Sequence, residues 1–147
     1  MTRDARTASI ARVQRELTTI GRRGTARVRR ENEGLSIVDR SLLAYIREHP
    51  GCRAVEIAAH YELNRSTVSR QLAALTESGY VVSAPEEHAG RGQALRITER
   101  GVGVLDAADD ALRVTMTGRL REWSEAEIAA FAAMLERYNA ADGDGRD

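Results

Sequence analysis

Two short helical patterns meet across a break at Tyr61-Glu62-Leu63, and that spacing leaves the chain few ways to fold. The first pattern covers about Ala54–His60, with Val55, Ile57 and Ala58 as its apolar face. Asn64 follows the break, and its side-chain oxygen suits the cap of a second helix, expected over about Asn64–Gly79. Within it Val68, Leu72 and Leu75 recur at steps of four and three, which is one stripe of a helix. Gly79 stands where a chain leaving a helix turns left-handed. Two helices joined by a tight turn, the second opening on small polar residues, form the helix-turn-helix pattern.

Anchoring the Val68–Leu72–Leu75 stripe to a core turns Arg65, Ser66, Ser69, Arg70 and Ala73 outward. These side chains are mostly short, so a backbone can approach them closely. Hydroxyls reach phosphates or base edges, and arginine pairs two-pronged with guanine. A helix N-terminus also favours phosphate. Asn64, Arg65, Ser66, Thr67, Ser69 and Arg70 are therefore expected to contact double-stranded DNA. Tyr80-Val81-Val82 and Ala94–Ile97 read as two strands around a polar segment from Pro85 to Gly92. A hairpin beside the second helix reaches an adjoining minor groove, and Arg91 near its tip is the expected probe.

The flanks are helical. Ile10, Val13, Leu17 and Ile20 form one stripe, and Gly21 and Gly24 mark a bend or a close approach. Ser36 caps a helix to about Glu48 with Leu42, Leu43 and Ile46 inward, ended by Pro50-Gly51. Thr98 caps a long helix over about Glu99–Glu122. Ser124 and Glu127 make a capping box for a last helix with Ile128, Phe131, Leu135 and Tyr138 on one face. A chain of 147 residues has little central core for both terminal helices to cover. Their stripes are expected to interlock with a second copy, so that a homodimer presents two second helices about one DNA turn apart. The expected division is an N-terminal dimerisation helix (1–34), a helix-turn-helix with its hairpin (35–100) and C-terminal dimerisation helices (101–147). The fold class is mainly α with a small β-hairpin.

Charge and cysteine usage narrow the function. The 22 basic residues are all arginine, against 22 acids, for a net charge of zero. Nine arginines against Asp4 and Glu16 give residues 1–30 a net of +7; residues 31–52 carry −2, residues 53–100 zero and residues 101–147 −5. Pairing of the two ends across a dimer interface accounts for part of that asymmetry. Cys52 is the only cysteine, so neither an internal disulfide nor a multi-cysteine zinc site is expected. Met1–Ile10 lacks the apolar run of a signal peptide, and no stretch approaches the roughly 18 apolar residues of a membrane span, so a soluble cytoplasmic protein with no membrane partner is expected. His49, His60 and His88 are scattered. Only Glu56 stands at a ligand spacing, four before His60, and that pair reads as a helix-face hydrogen bond. No serine has a histidine at fixed spacing and there is no glycine-rich phosphate loop, so neither catalysis, metal nor cofactor is expected.

The run Ser66-Thr67-Val68-Ser69-Arg70, then Leu72, Leu75 and Gly79-Tyr80-Val81, then Arg91 and Leu95–Gly101, resembles the MarR family of bacterial regulators over nearly the whole chain. The resemblance implies a winged helix-turn-helix with dimerising helices at both ends. It implies a homodimer on a pseudo-palindromic operator, usually as a repressor. It also implies release by a small phenolic or aromatic ligand, in a pocket near Tyr45, His49 and Trp123, or by cysteine oxidation. Two positions depart from the family pattern. Ala89-Gly90-Arg91 stands where the wing usually reads Asp, any residue, Arg. Arg53 stands where the third helix usually has a Ser or Thr cap, and is expected to touch a phosphate instead. The relatives' sensing cysteine lies in the first helix, so Cys52 reads as an ordinary loop cysteine. The alternative is a winged-helix protein-interaction module without DNA function, which the balanced charge of residues 53–100 suits.

Overall fold

The computed structural model of the chain describes residues 3–30, 35–85 and 93–140. The order is α1 (Arg3–Arg30), α2 (Ile37–Glu48), α3 (Ala54–His60), α4 (Arg65–Glu77), β1 (Val81–Pro85), β2 (Gln93–Ile97), α5 (Glu99–Leu120) and α6 (Glu125–Ala140). Two compact units divide the chain, residues 1–108 and residues 109–147.

In the first unit, local chemistry fixes the helix ends. The Ser36 hydroxyl accepts from the Asp39 amide at 3.0 Å, and the Asp39 carboxylate accepts from the Ser36 amide at 3.1 Å, a reciprocal box that starts α2. Asn64 Oδ1 accepts from the Ser66 amide at 2.9 Å and starts α4. Gly79, at φ 75°, ends that helix in the left-handed region. Thr98 joins β2 to α5. Its amide donates to the Tyr80 carbonyl at 3.0 Å, and its hydroxyl donates to Gly79 O at 2.7 Å and accepts from the Gly101 amide at 3.0 Å. Helix α1 does not break at its glycines. Gly21 meets open space, whereas Gly24 is the point of close approach: a Cβ there would lie 3.0 Å from Ile37 Cδ1.

The core joins one face of each helix from α2 to α4 to the hairpin. Leu42, Leu43, Ile46, Ile57, Val68 and Val81 are sealed from solvent, and Leu105 brings the first turns of α5 onto the same cluster. Each full burial contributes about 1.5–3 kcal/mol. Strands β1 and β2 pair antiparallel from Val81↔Ile97 to Pro85↔Gln93. A further rung lies on the far edge of β2: Leu95 accepts from the Gly51 amide at 2.8 Å and donates to the Cys52 carbonyl at 2.9 Å. The segment between α2 and α3 is thereby tied to the hairpin. Val55 departs from the sequence expectation. It is 44% exposed, and Ile57 and Ala58 alone supply the buried face of α3. A helix of seven residues has room for little more than one buried turn.

In the second unit, Ser124 and Glu127 form the expected capping box at the start of α6. The Glu127 carboxyl is held below its ordinary range by hydrogen bonds from the Ser124 amide and hydroxyl. Trp123 packs on Phe131 with ring centroids 5.5 Å apart.

Candidate nucleic-acid interface

Helix α4 is fixed by Val68, Leu72 and Leu75, all buried. Its other side is exposed at Arg65, Ser66, Ser69, Arg70 and Ala73, whereas Thr67 is half-buried. The fold therefore brings Arg65, Ser66, Ser69 and Arg70 onto one solvent-facing surface and keeps Thr67 at its margin. Asn64 stands at the head of this surface with a modified role. Its Oδ1 accepts from both the Ser66 amide and the Ser66 hydroxyl, the latter at 2.7 Å. The Ser66 proton is committed to the cap, so Ser66 offers an incoming group an acceptor oxygen, and Asn64 offers its amide N–H groups.

Arg53 occupies the N-cap of α3 without a side-chain capping bond. Glu56 substitutes from the other direction, accepting from the Arg53 amide at 2.6 Å. Between α4 and the hairpin lies a cleft of about 770 Å³ with Arg53 and Arg65 on its walls. Val55, Thr76, Ser83 and Gln93 also line it, and sequence reasoning assigned none of these to the site. Val55, exposed on α3, is one of the apolar side chains on this cleft. Arg91 and the whole segment 86–92 lie outside the described residues, as does His88.

The other expectations divide. Tyr45 and His49 do come together: their rings stack at 4.2 Å and 21°. His60 packs on Tyr45 at 4.9 Å and on Tyr61 at 4.6 Å. The Tyr61 hydroxyl donates to Ser41 O at 3.2 Å. These rings join the C-terminal ends of α2 and α3, and the ring faces of Tyr45 and His49 are used in that packing. Burial pushes the Tyr61 hydroxyl pKa up, with Glu48 adding to the shift. His60 thus packs on aromatic rings where a helix-face hydrogen bond to Glu56 was expected. Trp123, the third residue expected at a pocket, belongs to the second unit and meets Phe131. Among the described residues no group of three or more His, Cys, Asp or Glu side chains is placed to hold a metal ion.

Cys52 is buried, and burial, followed by the nearby Glu56 carboxylate, raises its thiol pKa. The thiolate is the reactive form. At pH 7.5, modification of Cys52 by an aromatic disulfide reagent is expected to be at least tenfold slower in the folded protein than in denaturant. Equal rates would show that the thiol is open and ionised.

The stripes of α1 and α6 are exposed. Ile10, Val13, Leu17 and Ile20 are 57, 52, 38 and 54% accessible. Ile128, Leu135 and Tyr138 are likewise exposed, and Phe131 is half-buried. Four large apolar side chains in line on one helix, half in water, form a surface that gains on the order of 1 kcal/mol per side chain when covered.

A helix pair followed at once by an antiparallel hairpin, packed on one core, is a winged helix-turn-helix. A sequence model of the MarR family matches residues 33–92. The uncharacterized HTH-type transcriptional regulator YxaD of Bacillus subtilis (strain 168) is 30% identical over 131 residues, covering 88% of this chain and 92% of YxaD. A MarR family protein from Bacillus stearothermophilus has the same fold, with a TM-score of 0.78 and 16% identity over 98% of this chain and 100% of that one. So does Streptococcus pneumoniae FabT, solved in complex with DNA, with a TM-score of 0.75 and 18% identity over 93% of this chain and 99% of that one. The chain belongs to the MarR family and is a transcriptional regulator of the winged-helix class. Among the described residues no helix is long and apolar enough to cross a membrane.

Proposed function

We propose that this protein is a sequence-specific DNA-binding repressor that grips a pseudo-palindromic operator as a homodimer. One observation carries the reading: the exposed α4 face of Arg65, Ser66, Ser69 and Arg70, backed by the buried Val68, Leu72 and Leu75. In this reading α4 enters the major groove, with Arg65 and Arg70 pairing to guanines and Ser69 reaching base edges or phosphate. Asn64 and the half-buried Thr67 sit where the helix N-terminus meets the backbone. Arg53 takes a phosphate from the start of α3, and Arg91 enters the minor groove, an assignment that rests on sequence alone. The exposed stripes of α1 and α6 support the dimer, since a second copy covers them. The same family resemblance supports release by a small aromatic ligand and a place in the cytoplasm.

Selection of genomic fragments on the purified protein tests this reading. It is expected to return an inverted repeat whose half-site centres lie about one helical turn, 10–10.5 base pairs, apart. Fragments without a shared motif, or none retained at low salt, would contradict it.

A further inference from the structure

The reading above leaves an electrostatic deficit. Binding to duplex DNA draws much of its strength from neutralised phosphates, yet residues 53–100, which contain the helix-turn-helix and hairpin, have six arginines balanced by six acids. The basic excess of the chain lies in residues 1–30, at +7.

Helix geometry concentrates part of that excess. At 100° per residue, Arg12, Arg15, Arg22 and Arg23 fall within an arc of about 100°, on the side of α1 away from the Ile10–Val13–Leu17–Ile20 stripe. They span on the order of 16 Å along the helix axis. All four are exposed, and none makes an ion pair among the described residues. The acids of this helix offset them only in part. Glu16 borders this face one turn after Arg12 and leaves it a net charge of about +3, and Asp4 lies two turns before Arg12. Thr19 shares the arginine face, but its hydroxyl is turned back onto the Arg15 carbonyl at 3.0 Å. The guanidinium groups are thus the polar chemistry this face presents.

We propose that the Arg12–Arg15–Arg22–Arg23 face of α1 is a second DNA contact surface, which binds phosphates without reading bases. The inference rests on the DNA-binding reading above and adds to it the source of the positive field. The apolar stripe is left for the second copy, so α1 serves both partners from opposite faces. Phosphate is the fitting partner because four exposed, forked, permanently charged donors along one helix face match a polyanion with regularly spaced charges.

The test compares the full-length protein with R12Q/R15Q/R22Q/R23Q and with the charge-retaining R12K/R15K/R22K/R23K, on a selected operator duplex and on a scrambled one. Arginine, glutamine and lysine are similar helix formers, so α1 persists in both variants. The glutamine variant is expected to bind both duplexes about tenfold or more weakly at 0.1 M salt. Its slope of log K against log salt should be shallower by up to about 3.6 per protomer, as each of the four lost phosphate contacts removes about 0.9. The lysine variant is expected to stay within about threefold of the wild type. Equal loss on both duplexes is the signature of a contact that carries no sequence information.

Unchanged affinity and slope in the glutamine variant would overturn the proposal while leaving the operator reading intact. A wild-type protein that holds neither duplex would remove both. A glutamine variant that sediments as a monomer where the wild type is a dimer would assign the arginines to the second copy's acidic helices and overturn the DNA assignment. Co-sedimentation with phosphatidylglycerol vesicles that is lost in the glutamine variant, with DNA binding unaffected, would assign them to an anionic lipid surface and equally overturn it.

Discussion

Gly101→Ala is expected to lower the melting temperature by roughly 5–10 °C, while Gly103→Ala, two residues along the same helix, is expected to raise it slightly. A Cβ at Gly101 would collide with the Tyr80 carbonyl oxygen and stand 2.8 Å from Ile97 Cγ1. The carbonyl has no freedom to yield, because it accepts the Thr98 amide at 3.0 Å in the corner that leads from β2 into α5. Overpacking of a fixed site costs about 1–3 kcal/mol, and in a chain of this size each kcal/mol moves the midpoint by about 2–4 °C. Gly103 meets nothing within 4 Å, so alanine there brings only its better helix propensity, up to about 1 kcal/mol. Thermal scans of the two variants decide the matter. A Gly101→Ala protein as stable as Gly103→Ala would mean that the corner is not packed as described.

Leu17→Glu is expected to convert the proposed dimer to a monomer at micromolar concentration and to weaken operator binding by a hundredfold or more. Leu17 is the least exposed member of the α1 stripe, at 38%. A second copy that covers the stripe would have to bury the new carboxylate without a partner, at a cost of several kcal/mol. Once the two helix-turn-helix units are no longer one body, the second half-site loses the effective concentration that binding to the first provides. Thr18→Glu, next along the chain but turned 100° around the helix, is the control and is expected to leave the dimer intact. Sedimentation velocity reads both variants. A dimeric Leu17→Glu protein would place the interface elsewhere.

How much of this was legible in the sequence differs from element to element. The helix starts at Ser36, Asn64, Thr98 and Ser124 were visible because a cap is a local event, decided by residues two or three apart. The left-handed Gly79 was visible for the same reason. The outward face of α4 followed from the steps between Val68, Leu72 and Leu75, since a three-residue anchor fixes which side remains. Val55 was misplaced among the buried residues because an apolar side chain in a single short helix has no periodicity to orient it. The rung between Gly51, Cys52 and Leu95 joins segments more than forty residues apart through backbone atoms, which no side-chain pattern records. The cleft wall at Thr76, Ser83 and Gln93 is likewise tertiary. Tyr45 and His49 were brought together by the family resemblance rather than by their spacing, although one helical turn separates them. That His60 and Tyr61 complete the cluster depended on how α3 docks against α2. In the long α1, Gly21 and Gly24 signal a bend or a close approach; the helix does not break, the exposed Gly21 only lowers its propensity, and Gly24 is the close approach.

The central claim is that the α4 face reads bases. The most direct measurement is the ratio of affinities for the selected operator duplex and a scrambled duplex, taken for the wild type, Arg65→Ala and Arg70→Ala at one salt concentration. A lost two-pronged contact to guanine costs about 1–3 kcal/mol of discrimination, so in each variant the ratio is expected to fall roughly tenfold to a hundredfold, while affinity for the scrambled duplex falls only a few-fold. A ratio unchanged in both variants would contradict the assignment of α4 to the major groove.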